Sequence, residues 1–76
     1  MEWPLLTVAL NQPEDIVVAR HRARQVATLA GLDASSQTRL AASVSEISRN
    51  AIAYAGGGRV AFAITRSFLI ATLECR

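Results

Sequence analysis

The chain has no lysine, a single cysteine, a single histidine, two prolines and four aromatic residues in 76 positions. Each shortage removes a class of function. One cysteine, Cys75, leaves no intrachain disulfide and no cysteine-based metal site, which fits a reducing compartment. A lone histidine, His21, has no second histidine or cysteine nearby to share a metal. The few aromatics do not alternate with basic residues, so no base-stacking platform for single-stranded nucleic acid is visible. No apolar run approaches the roughly 20 residues a membrane helix needs. The start, "MEWPLLTVAL", is short, acidic and without a small-residue cleavage pattern, so it does not read as a signal peptide. These absences predict a cytoplasmic protein that acts on neither membrane nor nucleic acid.

What is present is apolar mass and arginine. Hydrophobic residues make up 51% of the chain, enough for a core and too many for disorder. All eight basic residues are Arg, yet the net charge of +2 is too small to argue for a polyanionic partner. A chain of this length is one small domain, burying only about 60% of the surface its unfolded form exposes.

Five elements follow from the pattern. Trp3–Leu10 reads as a strand, closed by "NQPED" at 11–15. Pro13 suits a first helical turn, and Glu14 and Asp15 suit the positive end of the helix dipole. That helix is expected over 13–30, with Ile16, Ala19, Ala23, Val26, Ala27 and Ala30 on its apolar face, Val17, Val18 and Leu29 off it, and Gly31 as its stop. Asp33 or Ser35 caps a second helix over 35–55. Its apolar stripe reads Leu40, Val44, Ile47, Ala51 and Tyr54, which puts Arg39, Glu46 and Asn50 on one flank, the latter two about 80–120° from the stripe. Arg49 then points away to solvent. "GGG" at 56–58 ends the helix, and "RVAFAI" and "FLIATLEC" on either side of "TRS" read as a hairpin. The order β-α-α-β-β predicts an α+β fold, two helices on one face of a small, mostly antiparallel sheet. The last strand runs straight into Arg76, which reads as a chain cut inside a larger fold. "RHRAR" at 20–24 spreads around a helix and reads as a solvated face, Cys75 as a packing residue, and Ser35, Ser36 and Ser43 as caps or helix surface.

The stretch "SEISRNAIAYAGGGR" at 45–59 carries the functional question. A carboxylate, Glu46, and a carboxamide, Asn50, one helical turn apart form a compact oxygen pair. An Asn oxygen is a hard neutral ligand for Mg²⁺, whose shell is completed by phosphates and waters, and a Glu can take a hydroxyl proton beside a phosphate. By spacing alone, a chance pair on a helix surface is the more economical reading. The longer string resembles the asparagine box of the GHKL ATPases, a Glu followed four residues later by Asn on a long helix. It is closest to the anti-sigma-factor and switch serine/threonine kinases, through Ser45, Glu46, Ile47, Arg49, Asn50, Tyr54, Ala55 and Gly56. The upstream segment "VARHRARQVATLAGLDASSQTRLAASVSE" is similar to that group's first helix, break and second helix. Ala53 stands where sensor histidine kinases often carry Lys or Arg.

The resemblance implies a truncated GHKL or Bergerat-type α/β sandwich, ATP and Mg²⁺ as ligands of the complete domain, Asn50 as the Mg²⁺ ligand, Glu46 as the base, and a small regulatory protein as the partner that is phosphorylated. It also implies that the D-x-G-x-G adenine box and the lid are missing from these 76 residues, so the chain alone is expected to be inactive and to have very weak nucleotide affinity, with none bound into the high micromolar range. "GGGR" lacks G-K-[ST] and is no P-loop. Two rivals stay open: the ATPase part of a sensor histidine kinase, and a non-enzymatic interaction module. An apolar strand at 68–75 without a neighbour further predicts a homodimer through an exposed sheet edge.

Overall fold

The computed structural model describes residues 3–65 and 68–76. It contains β1 (Trp3–Leu10), α1 (Glu14–Leu29), α2 (Ala34–Ala55), β2 (Gly58–Ile64) and β3 (Leu69–Cys75). The strands form one antiparallel sheet in the order β1-β2-β3, with β2 central, and the two helices pack on each other and on one face of it. The expected α+β architecture and element order are those observed. Arg66 and Ser67, expected in the hairpin connection, lie outside the described residues, as do Met1 and Glu2. Among the described residues, no helix is long and apolar enough to cross a membrane.

Local chemistry explains where the elements start and stop. Asp15 folds back at the head of α1, where its Oδ2 accepts from the amides of Asn11 (2.8 Å) and Gln12 (3.1 Å). At the other end Gly31 adopts a left-handed φ of 80°. The amide of Gly31 then donates to Thr28 O and that of Leu32 to Ala27 O, which satisfies two of the carbonyls a helix end leaves open. Asp33, rather than Ser35, caps α2: its Oδ1 accepts from the Ser36 amide at 2.7 Å. The three glycines do separate jobs. Gly56 is the left-handed cap of α2 at φ 72°, Gly57 turns the chain at φ 119°, and Gly58 opens β2 against Cys75.

The core lies between the helical layer and the inner face of the sheet. Leu10, Val26, Val44, Val60 and Phe62 are its large, fully buried side chains. Along β1 and β2 the inward residues alternate as the pleat requires: Leu6, Val8 and Leu10 stand beside Phe62, Val60 and Gly58. On β3, Leu69, Ala71 and Leu73 face the same way but stay half-buried, at the margin of the helical cover. On the outer face Arg59 donates through Nε and Nη2 to Glu74 Oε2, at 2.9 and 2.7 Å.

The predicted face of α1 is the buried one, with Ala19, Ala23, Val26 and Ala27 inside and Val17, Val18 and Leu29 exposed. Two expectations are corrected. Tyr54, placed on the apolar stripe of α2, is 87% exposed. Cys75, expected to pack, is exposed, because its neighbour across the sheet is Gly58, which has no side chain to cover it.

Candidate functional site

Glu46 and Asn50 sit near the middle of α2, a helix of 22 residues. The buried residues of that helix are Ala41, Val44, Ser45, Ser48 and Ala51. At 100° per residue, this face is turned by roughly 75° from the stripe that runs from Leu40 to Tyr54. The turn exchanges two positions. Glu46 and Asn50, expected on a flank, point almost directly away from the core, and Arg49, expected there, lies on the flank instead. All three are exposed. The helix packs through small side chains, since Ala41, Ser45, Ser48 and Ala51 let α2 approach its neighbours closely where bulkier Leu40 and Ile47 are only half-buried.

The structure therefore does bring Glu46 and Asn50 onto one surface, one turn apart, where side chains at i and i+4 stand about 5–6 Å from each other at Cβ. Arg39 belongs to the same outward face, two turns upstream, and donates from Nη2 to Ser36 Oγ at 3.4 Å. Glu46 Oε2 accepts from Arg49 Nη1 at 2.9 Å, with the side chains 65% and 57% exposed. An ion pair this exposed contributes about 0–1 kcal/mol, so it does not lock the carboxylate away from another ligand. The Asn50 carboxamide makes no side-chain hydrogen bond among the described residues, which leaves its oxygen free to accept.

The surroundings are open. A shallow depression of about 270 Å³ is lined by Gly58, Arg59, Glu74, Cys75 and Arg76, and an apolar one of about 450 Å³ by Leu6, Gln25, Val26, Thr28 and Leu29. Neither includes Glu46 or Asn50. Among the described residues no group of three or more His, Cys, Asp or Glu gathers as a metal cage would. One carboxylate and one carboxamide match the sparing way Mg²⁺ is held by protein when phosphate oxygens and waters supply the rest of its shell.

Arg20, His21, Arg22 and Arg24 are all exposed and spread around α1, a solvated face as expected. One polar cluster had no signal in the sequence. Arg76 Nη1 donates to Gly56 O at 3.1 Å, its Nη2 to Asn11 Oδ1, and its amide to Gly57 O at 2.9 Å. It ties the end of β3 to the α2 cap and to the β1–α1 loop across 65 residues of chain, a separation no local motif reports.

Comparison with protein-family models, with curated proteins and with solved structures finds no match to this chain. The likeness of residues 45–59 to an asparagine box thus rests on those residues alone.

Proposed function

We propose that the chain is the N-terminal part of a GHKL-type ATP-binding domain, similar to the anti-sigma-factor and switch serine/threonine kinases, working in the cytoplasm on a small regulatory protein. The observation that carries this reading is the placement of Glu46 and Asn50 one turn apart on the outward face of a long helix, with the Asn50 oxygen uncommitted. In this reading the Asn50 carboxamide oxygen holds Mg²⁺ that enters with ATP. Bound there, such an ion would supply positive charge to neutralise the phosphates. Glu46 would take the proton from a Ser or Thr hydroxyl of the partner while that oxygen bonds to the terminal phosphorus and the bond from that phosphorus to ADP breaks, ADP being the leaving group.

A second reading, a non-enzymatic interaction module, draws support from the openness of the same face, where neither depression reaches Glu46 or Asn50. One titration separates the two. Amide NMR shifts followed as Mg-ATP is raised into the millimolar range should show weak, saturable changes centred on residues 46–50, while calorimetry into the high micromolar range stays silent. The changes should vanish in Asn50→Ala or when Mg²⁺ is chelated, and persist in Glu46→Ala. Absence of changes on α2, or the same changes in Asn50→Ala, would reject the nucleotide reading in favour of the interaction module.

A further inference from the structure

The two edges of the sheet are not equivalent. The outer edge of β1 carries Pro4 and an irregularity between Pro4 and Leu6, both of which obstruct pairing by another strand. β3 has neither proline nor bulge across Leu69–Cys75, and its pairing with β2 is continuous from Leu69↔Ile64 to Cys75↔Gly58. Its one charge, Glu74, is already held by Arg59. Nothing on β3 opposes a further strand.

The hydrogen bonds at its two ends tell which groups are free. Arg76 donates to Gly57 O, and Phe68 O accepts from the Thr65 amide. In an antiparallel ladder the direction alternates residue by residue. Ile70, Thr72 and Glu74 therefore turn their N–H and C=O towards β2, and Leu69, Ala71, Leu73 and Cys75 turn theirs outward. Among the described residues no strand meets these four. Removing the Ala71 amide would therefore interrupt pairing at this edge, whereas removing that of Ile70 would break the ladder with β2.

We infer that β3 pairs with β3 of a second copy about a two-fold axis, in the register that places Thr72 opposite Thr72 of the partner. This register sets Leu69 against Cys75 and Ala71 against Leu73, in both directions, so all four outward residues find a partner. Shifting by one step to centre on Ala71 or Leu73 pairs only three of them. Glu74 meets Ile70, so no like charges face each other. The half-buried inner residues Leu69, Ala71 and Leu73 of both copies then form one apolar strip on the helix side of the joined sheet. The inference is for the 76-residue chain by itself and stands apart from nucleotide binding, since Glu46 and Asn50 lie on the helix face turned away from the core.

The register makes the test sharp. Thr72 and its twin form a non-hydrogen-bonded pair with Cα atoms about 4.5 Å apart, within the span of a disulfide. Cys75 and its twin lie six residues apart along the strands, about 20 Å, and do not cross-link. In a Cys75→Ser background, mild oxidation of Thr72→Cys should give roughly tenfold more linked dimer than Ala71→Cys, Leu73→Cys or the β1-edge variant Thr7→Cys, given how narrow disulfide geometry is. The unmodified chain should sediment as a dimer at micromolar concentration, and Ala71→Pro as a folded monomer by circular dichroism. Should Ala71→Pro fail to fold, the cross-linking decides. A folded monomer at all accessible concentrations, or cross-linking that favours Thr7, Ala71 or Leu73, would overturn the proposal.

Discussion

Replacing Gly57 by alanine should cost this domain much of its stability, and the structure says how much. Gly57 holds φ at 119°, a region that residues with a side chain rarely adopt. It is also wedged: a Cβ there would come within 2.4 Å of the carbonyl oxygen of Leu10. Leu10 is fully buried and paired across the sheet with Gly58, so its backbone has nowhere to retreat. The conformational strain amounts to about 1–3 kcal/mol, and overpacking against fixed backbone adds about 1–3 kcal/mol. The total of about 2–6 kcal/mol compares with roughly 4–11 kcal/mol of stability for 76 residues. Gly31→Ala is the control. Its φ is 80°, but a Cβ there meets nothing within 4 Å, so only the left-handed penalty of about 1–2 kcal/mol applies. Urea unfolding followed by far-UV circular dichroism reads both. With a slope near 1 kcal/mol/M, the midpoint should fall by about 1–2 M in Gly31→Ala and by about twice that or more in Gly57→Ala, if the latter folds at all. Equal midpoints for the two variants would refute the wedge.

Two further outcomes are expected from the helices. Ser48 is fully buried on α2 and its hydroxyl has no hydrogen-bond partner among the described residues, so Ser48→Ala should stabilise by about 1 kcal/mol, read as a raised urea midpoint. A loss of similar size would reveal a partner for that hydroxyl; Ser45→Ala, which gives up a bond to Ala41 O, is the comparison. Asp33 has its pKa lowered below the ordinary 3.8, chiefly by accepting from the Ser36 amide, then the Ser36 hydroxyl and the charge of Arg39. A depressed carboxylate pKa contributes stability that is full above the unfolded value and is lost as pH falls through the folded value. The deficit of Asp33→Ala against the unsubstituted chain should therefore be present at neutral pH, shrink below about pH 4 and close at lower pH; a deficit independent of pH would show that the carboxylate charge contributes nothing at the cap.

The elements were legible because their punctuation is local. Pro13 with Glu14 and Asp15, Gly31 followed by Asp33, and the triple glycine each act within one turn of the chain, and the observed bounds differ from the expected ones by one residue at most ends. The face of α2 was not legible by the same means. Ranking Leu40, Ile47 and Tyr54 as core assumes that large apolar side chains go inside, whereas a closely packed helix needs small ones there, and Ala41, Ser45 and Ser48 took the place. The small residues of α1, at 19, 23 and 27, were the available hint that the helices meet closely. That rotation decides the candidate site, because it carries Glu46 and Asn50 from a sheltered flank to the open side. Cys75 shows the same limit, since its exposure depends on Gly58 across the sheet. The Arg76 cluster depends on Asn11 and Gly56, which no window of sequence places beside it.

The sheet order has a kinetic side. β2 and β3 are separated by four positions in sequence, as are α1 and α2 between Leu29 and Ala34, so both units can close early and cheaply. β1 meets β2 only across the whole helical pair, with Leu10 facing Gly58. Closing a loop of that length costs roughly 2 kcal/mol more chain entropy than closing a hairpin turn. Of the three strands, β1 is the one whose pairing closes the longest stretch of chain, and its seam with Phe62 and Val60 is where the loop-closure entropy of this fold is concentrated.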